Sequence, residues 1–141
     1  LTDVMTDHES MLAANKVRIA FESDFAPAAL ARFVDNMNPA IFGINYDIGN
    51  SAALGFDVRE EIASYGDKIF NVHIKDRLLG GTTVPLGAGN ANFASFFSEL
   101  SKYEYKGNFI LQTARGPSGQ HLQVLEKYLN MAITWILEYG P

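Results

Sequence analysis

The sequence predicts an α/β fold: a parallel sheet whose strands are joined by crossover helices. Three observations predict it. Strand-like and helix-like segments alternate along all 141 residues, the pattern of βαβ units rather than of hairpins. The strand segments keep a period-2 alternation of apolar with small or polar residues. Three of them also finish on a residue able to bind a metal, namely Glu22, Asp47 and His73.

The elements follow in order. Residues 2–15 carry helical spacing and good helix formers, with Asp3, Asp7 and Glu9 early, and predict a first helix. Strand 17–22 comes next. Pro27 opens a helix over 28–37, where a first-turn proline forfeits no hydrogen bond, and Asn38-Pro39 ends it. Strand 41–47 runs to Asp47, and Gly49-Asn50 reads as a turn. Asp57 is placed to cap a helix over 58–65, closed by Gly66. Strand 69–75 carries His73. Residues 78–92 read as loop, punctuated by Gly80, Gly81, Pro85, Gly87 and Gly89. Asn92 is placed to cap a helix over 93–103, and Gly107 precedes strand 108–112. A second Gly/Pro loop runs from Arg115 to Gly119, with Ser118 as a capping residue. It leads into a long helix ending near Glu138, in which Leu125, Tyr128 and Trp135 have core spacing.

Counted back from the strand ends, one face carries Arg18, Ala20 and Glu22; Gly43, Asn45 and Asp47; Ile69, Asn71 and His73; Asn108, Ile110 and Gln112. The other carries Val17, Ile19 and Phe21; Phe42, Ile44 and Tyr46; Phe70, Val72 and Ile74; Phe109 and Leu111. Parallel strands covered on both faces read as near-continuous apolar runs. Here one face is small and polar, as in the interior of a (β/α) barrel that rises to an active site. Four αβ units are too few to close an eight-stranded barrel, which takes about 250 residues. An isolated half would leave two sheet edges open. Residues 1–141 therefore read as one incomplete barrel domain, a fragment of a larger chain or a unit that pairs with another half. The start at Leu1, without a methionine, fits a fragment.

Composition narrows the function. A net charge of -5 argues against a nucleic-acid partner, which needs a basic footprint. The absence of cysteine excludes disulfides and thiolate metal sites. No stretch of about 18 apolar residues predicts a transmembrane helix, and a cytoplasmic location is expected.

Glu22, Asp47 and His73 would meet at the C-terminal ends of neighbouring strands, where parallel α/β folds bind substrate. Two carboxylates and an imidazole suit a divalent cation such as Mn²⁺, Mg²⁺, Co²⁺ or Zn²⁺. Singly, each residue has a plain explanation: an Asx turn, a solvated strand end, an interior histidine. Their shared parity and shared end favour the joint site. Lys75 has the parity of His73 and would meet a sugar oxyanion or phosphate, or else lie on the surface. Asp76 reads as structural. Arg115, in the loop opening the last helix, offers a fork of donors to negative charge. The glycines at 80–81 and 87–89 fit neither a P-loop nor a dinucleotide fingerprint. His8 and His121 fall in helical segments away from the strand ends.

Phe21-Glu22, Asp47-Ile-Gly-Asn50, Val72-His-Ile-Lys-Asp76 and the run Pro85 to Phe93 together resemble the xylose-isomerase-like TIM-barrel superfamily, within its sugar-phosphate isomerases and epimerases. The resemblance covers essentially the whole chain and implies the C-terminal half of the barrel, strands five to eight. It implies one divalent metal held by Glu, Asp, His and Glu at four strand ends. Glu22, Asp47 and His73 match the first three, and Gln112 stands at the fourth. It also implies a sugar or sugar-phosphate substrate, with the missing N-terminal half-barrel, or a second copy, as structural partner. Epimerases of the family use the two glutamates as an acid/base pair on opposite faces of one carbon, and an amide cannot exchange a proton. The expectation is proton transfer by one base, Glu22, beside a carbonyl, or else a non-catalytic metal- or sugar-binding homologue. A DNA-repair protein of the endonuclease IV type shares the barrel, but the acidic balance lacks the basic surface it needs.

Overall fold

The computed structural model describes residues 2–141. Four strands, β1 (Ile19–Phe21), β2 (Phe42–Asp47), β3 (Ile69–Ile74) and β4 (Asn108–Leu111), form one sheet in the order β1-β2-β3-β4. Every neighbouring pair is parallel. A sheet whose strands follow chain order, each crossover having the same hand, puts all its helices on one side. Those helices are α3 (Pro27–Asp35), α4 (Ile48–Leu54), α5 (Val58–Tyr65), α6 (Phe93–Leu100) and α7 (His121–Tyr139), preceded by the short α1 (Thr2–Asp7) and α2 (Glu9–Ala14). None among the described residues is long and apolar enough to cross a membrane.

Alternation decides what the helices cover. Ile44, Tyr46, Val72 and Ile74 are buried with Leu30, Val34, Ile62, Phe96, Phe97 and Leu100 in one core. Tyr46 stacks on Phe96, and Trp135 of α7 stacks on Phe93 with ring centroids 4.1 Å apart. Tyr128 is buried as its spacing predicts, but Leu125 is exposed. The opposite face stays open, with Ala20, Asn108 and Ile110 exposed.

The sequence misplaces one pair of side chains. A bulge sits where β2 meets β3: Ile44 pairs with Ile69, yet Asn45 pairs with Asn71. The extra residue flips the start of β3. Ile69 turns into the helix-side core, and Phe70 turns to the open face, where the Arg18 guanidinium lies 3.5 Å from its ring centroid. Gly43 faces the same ring, and a Cβ there would come within 2.5 Å of it. From Asn71 onward the predicted parity holds.

Several boundaries also differ. The first helix is interrupted at His8, whose ring bonds the Val4 carbonyl. Gly49-Asn50 is no turn: Asp47 caps α4, which ends at Gly55 in a left-handed conformation, φ 74°. A glycine is needed at 49 because a Cβ would meet the Lys75 side chain at 2.7 Å. Gly66 does not stop the chain in that way but enters a 3₁₀ turn, Gly66–Lys68. Helix α6 ends at Leu100, and α7 begins after Gln120 with no side-chain cap, so Ser118 does not cap it. The predicted caps Asp57 and Asn92 both accept backbone N–H groups of their helices. The glycine-rich loop is ordered by Asp76, whose carboxylate, in a residue 1% exposed, accepts the N–H groups of Gly87, Gly89 and Ala91.

Beneath the end of β2 lies a buried acid that the sequence does not single out. Glu61, 3% exposed, accepts hydroxyl hydrogen bonds from Tyr46 at 2.7 Å, Tyr65 at 2.8 Å and Ser51. Burial raises the Glu61 carboxyl above its usual range, the three hydroxyl donors opposing part of that shift. Burial also pushes the Tyr46 and Tyr65 hydroxyls well up, so both remain donors. The folded state therefore holds the Glu61 proton more tightly than the unfolded chain does. Its contribution to stability is complete below the unfolded value and fades as pH rises through the folded one. Urea unfolding of the wild type and Glu61→Gln at stepped pH should show this: the wild type gains relative to the variant from pH 7 to pH 5. A pH-independent difference would refute the assignment.

Candidate functional site

Three strand ends deliver the predicted cluster. Glu22 directly follows β1, Asp47 closes β2, and His73 is the register partner of Asp47 on β3. One donor atom from each lies within 4.8 Å of the others. His73 Nδ1 is 3.4 Å from Glu22 Oε2 and 3.7 Å from Asp47 Oδ2. The three side chains differ in access: Glu22 is 40% exposed, His73 18% and Asp47 1%.

Asp47 is buried because its oxygens are occupied. Oδ1 accepts the Asn50 N–H at 2.9 Å, the capping bond of α4. Oδ2 receives Lys75 Nζ at 3.2 Å. Lys75 also donates to Asn50 Oδ1 at 3.2 Å, and its side chain is only 16% exposed. It is an inward-directed cation of the cluster and not a surface lysine.

Three amides and an arginine complete the surroundings. Asn45 Nδ2 donates to Glu22 Oε2 at 2.6 Å and lies 3.2 Å from His73 Nδ1. Asn71 donates to Asn45 Oδ1. Asn50 Nδ2 donates to Glu22 Oε1 at 2.8 Å, and Arg77 Nη1 donates to Asn50 Oδ1 at 2.9 Å. Sequence reasoning gave no site role to these residues, reading Asn50 as part of a turn and Arg77 as a partner of Asp76 or of a neighbouring loop, and Arg77 does bond the loop at Gly81 O. A weak signal exists for Asn45 and Asn71, polar residues in strand interiors with the parity of Asp47 and His73.

Gln112 continues β4 past the Ile74–Leu111 pair, its N–H bonded to Ile74 O at 3.0 Å. It therefore stands level with Lys75, two residues beyond His73, whose own partner is Ile110. Gln112 and Arg115 line a cavity of about 350 Å³ between the β4–α7 loop and α7. His121 lines the same cavity, so it does not stand apart from the strand ends as its helical position suggested.

The donor chemistry fits a divalent cation. Two carboxylates and an imidazole are hard and borderline donors of the kind such ions take, and their convergence permits one ion to bridge them. Glu22, Asp47 and His73 are the residues that would hold it.

Comparison with known proteins bears on the family and the fold. A family described as xylose isomerase-like TIM barrel matches residues 3–131. Over 83 residues the chain is 35% identical to the putative L-ribulose-5-phosphate 3-epimerase SgbU of Haemophilus influenzae, covering 54% of this chain and 29% of that protein. Over 109 residues it is 28% identical to inosose dehydratase of Geobacillus kaustophilus, covering 64% and 35%. The solved structure of a xylose isomerase domain protein from Planctomyces limnophilus superposes with a TM-score of 0.81 at 21% identity, over 98% of this chain and 53% of that one. The matched stretches span about a third of these curated relatives.

The buried pairing of Lys75 with Asp47 has a measurable consequence. Removing one partner of a buried ion pair strands the other, at about 3–5 kcal/mol, whereas exposed pairs contribute roughly 1 kcal/mol or less. Lys75→Met should destabilise the protein by several times more than Lys68→Met, whose partner Asp35 is 52% exposed. Paired denaturant titrations would decide it; equal losses would mean that Lys75 does not hold Asp47.

Proposed function

Because the chain belongs to the xylose isomerase-like TIM-barrel family, we propose that it provides the metal-binding half of a sugar or sugar-phosphate isomerase or epimerase. The observation that carries this reading is the convergence of Glu22, Asp47 and His73 at adjoining strand ends. The relatives named for a sugar-phosphate epimerase and an inosose dehydratase support a polyhydroxylated substrate. A divalent ion bound there would act as a Lewis acid on adjacent substrate oxygens and acidify the C–H bond between them. The protein's own groups divide the remaining work. Glu22, the most accessible of the three acids and bases of the cluster, takes the proton and returns it. Asp47, fixed by Asn50 and Lys75, serves as a static ligand. Lys75 and Arg115 steady negative charge on the substrate.

Gln112 limits the chemistry. An amide offers a carbonyl oxygen but exchanges no proton, so a second base on the opposite face of the substrate carbon is missing at this strand end. One-base aldose–ketose interconversion, in which Glu22 carries a proton between neighbouring carbons on one face, meets that limit. The second reading, a non-catalytic sugar- or metal-binding homologue, is favoured by the same residue. In either case the unpaired edges β1 and β4 would be closed by further barrel strands, from a longer chain or a second copy.

Titration calorimetry with Mn²⁺ tests the site. Binding should be one to one, and Asp47→Asn, which keeps the cap acceptor, should weaken it more than about tenfold. No uptake, or equal uptake by the variant, would discard the metal reading. Assays of the wild type and Gln112→Glu on a panel of sugars and sugar phosphates separate the two functions. Isomerisation by the wild type, with epimerisation gained in the variant, supports the one-base enzyme. Turnover only in the variant supports the binding homologue.

A further inference from the structure

A glutamate one residue beyond an edge strand, with a side chain 40% exposed, ordinarily samples several rotamers. Here both carboxylate oxygens are held. Oε1 is 2.8 Å from Asn50 Nδ2 and Oε2 is 2.6 Å from Asn45 Nδ2. The two donors come from rigid places: Asn45 lies within β2, in register with Asn71, and Asn50 sits in the first turn of α4, which Asp47 caps.

The orientation of Asn50 is dictated by its other end. Its Oδ1 accepts from Arg77 Nη1 at 2.9 Å and from Lys75 Nζ at 3.2 Å. Turned over, the amide would set its NH₂ against two cations and its oxygen against a carboxylate, repulsive at both ends. The carboxylate likewise demands a donor from Asn45, whose oxygen then receives Asn71. Arg77 is itself fixed by two bonds to the Gly81 carbonyl.

We infer that Asn45 and Asn50 are positioning residues: their amides clamp the Glu22 carboxylate, and Asn50 is a neutral spacer that keeps Arg77 and Lys75 from pairing with it directly. An ion pair would occupy the lone pairs that Glu22 needs for a ligand or a proton. An amide passes on the polarisation of the cations while leaving those lone pairs to a weaker partner. The catalytic meaning of the clamp rests on the proposed function; its geometry does not.

The test is side-chain ¹³C relaxation of Glu22 in the metal-free 141-residue chain, with thermal melting of each variant as a check on the fold. Wild-type Glu22 should be ordered. Asn50→Asp is isosteric and keeps acceptors for Arg77 and Lys75, yet it replaces the donor to Oε1 with a like charge. It should drop the order parameter below about 0.6 at a melting temperature close to the wild type's. Asn45→Ala should do the same, and Mn²⁺ affinity should fall about tenfold in both. Arg77→Met should give a partial loss that is not added to in the double variant with Asn50→Ala, because Arg77 acts through Asn50. Mobile Glu22 in the wild type, or ordered Glu22 in both amide variants, overturns the clamp. Additive losses overturn the spacer. Clamp-dependent order without Mn²⁺ uptake sustains the clamp and removes the metal reading alone.

Discussion

The Asp47 carboxylate joins the layers on which this site depends. One oxygen starts α4 by accepting the Asn50 N–H, and the other receives the Lys75 ammonium from the end of β3. Burying a carboxylate is costly unless its oxygens are hydrogen-bonded, and here each oxygen takes one bond, from the next helix and from the end of the next strand, which leaves acceptor capacity on both. The strand–helix turn, the β2–β3 register and the direction of Lys75 are thus coupled through one side chain. The preceding residue does the same work on the opposite face. Tyr46 points into the helix layer and donates to Glu61 of α5, which also receives Ser51 of α4 and Tyr65. β2 therefore ends in two adjacent residues pointing opposite ways, each tied to a satisfied acid, and α4 is pinned from both sides.

Much of this was legible in the sequence because strands sort side chains by parity. Glu22, Asp47 and His73 shared a face and an end, and a parallel sheet brings such residues together. The illegible parts have identifiable causes. Ile69-Phe70-Asn71 suits either parity, since Ile and Phe are both apolar, so nothing local announces the bulge. Gly49-Asn50 carries turn residues, yet Gly49 is there for the close approach of Lys75 and Asn50 for its amide. Glu61 lies in Val58-Arg-Glu-Glu-Ile-Ala-Ser-Tyr65, which reads as an ordinary charged helix face; only the fold shows three hydroxyls converging on one of its two glutamates. Asp76, by contrast, reads as structural from the sequence, a partner for Arg77 or for a neighbouring loop, and the fold shows it holding the N–H groups of the glycine-rich loop.

The open face is unusual in being lined by amides. Asn45, Asn50 and Asn71 all stand at or near the strand ends where the charged cluster lies. Amides orient and satisfy, but they neither ionise nor carry protons. Around the cluster the titratable groups reduce to Glu22, Asp47, His73 and Lys75, and two of these, Asp47 and Lys75, are engaged with each other. A histidine that ligates a cation must present a lone pair and cannot shuttle a proton through that nitrogen. Glu22 is the most exposed of these side chains that ion pairing leaves accessible, which is why the proposed function gives it the proton. On the proposed reading the face offers one proton carrier held still by neutral partners, and the amide of Gln112 would then be what separates one-sided isomerisation from two-sided epimerisation.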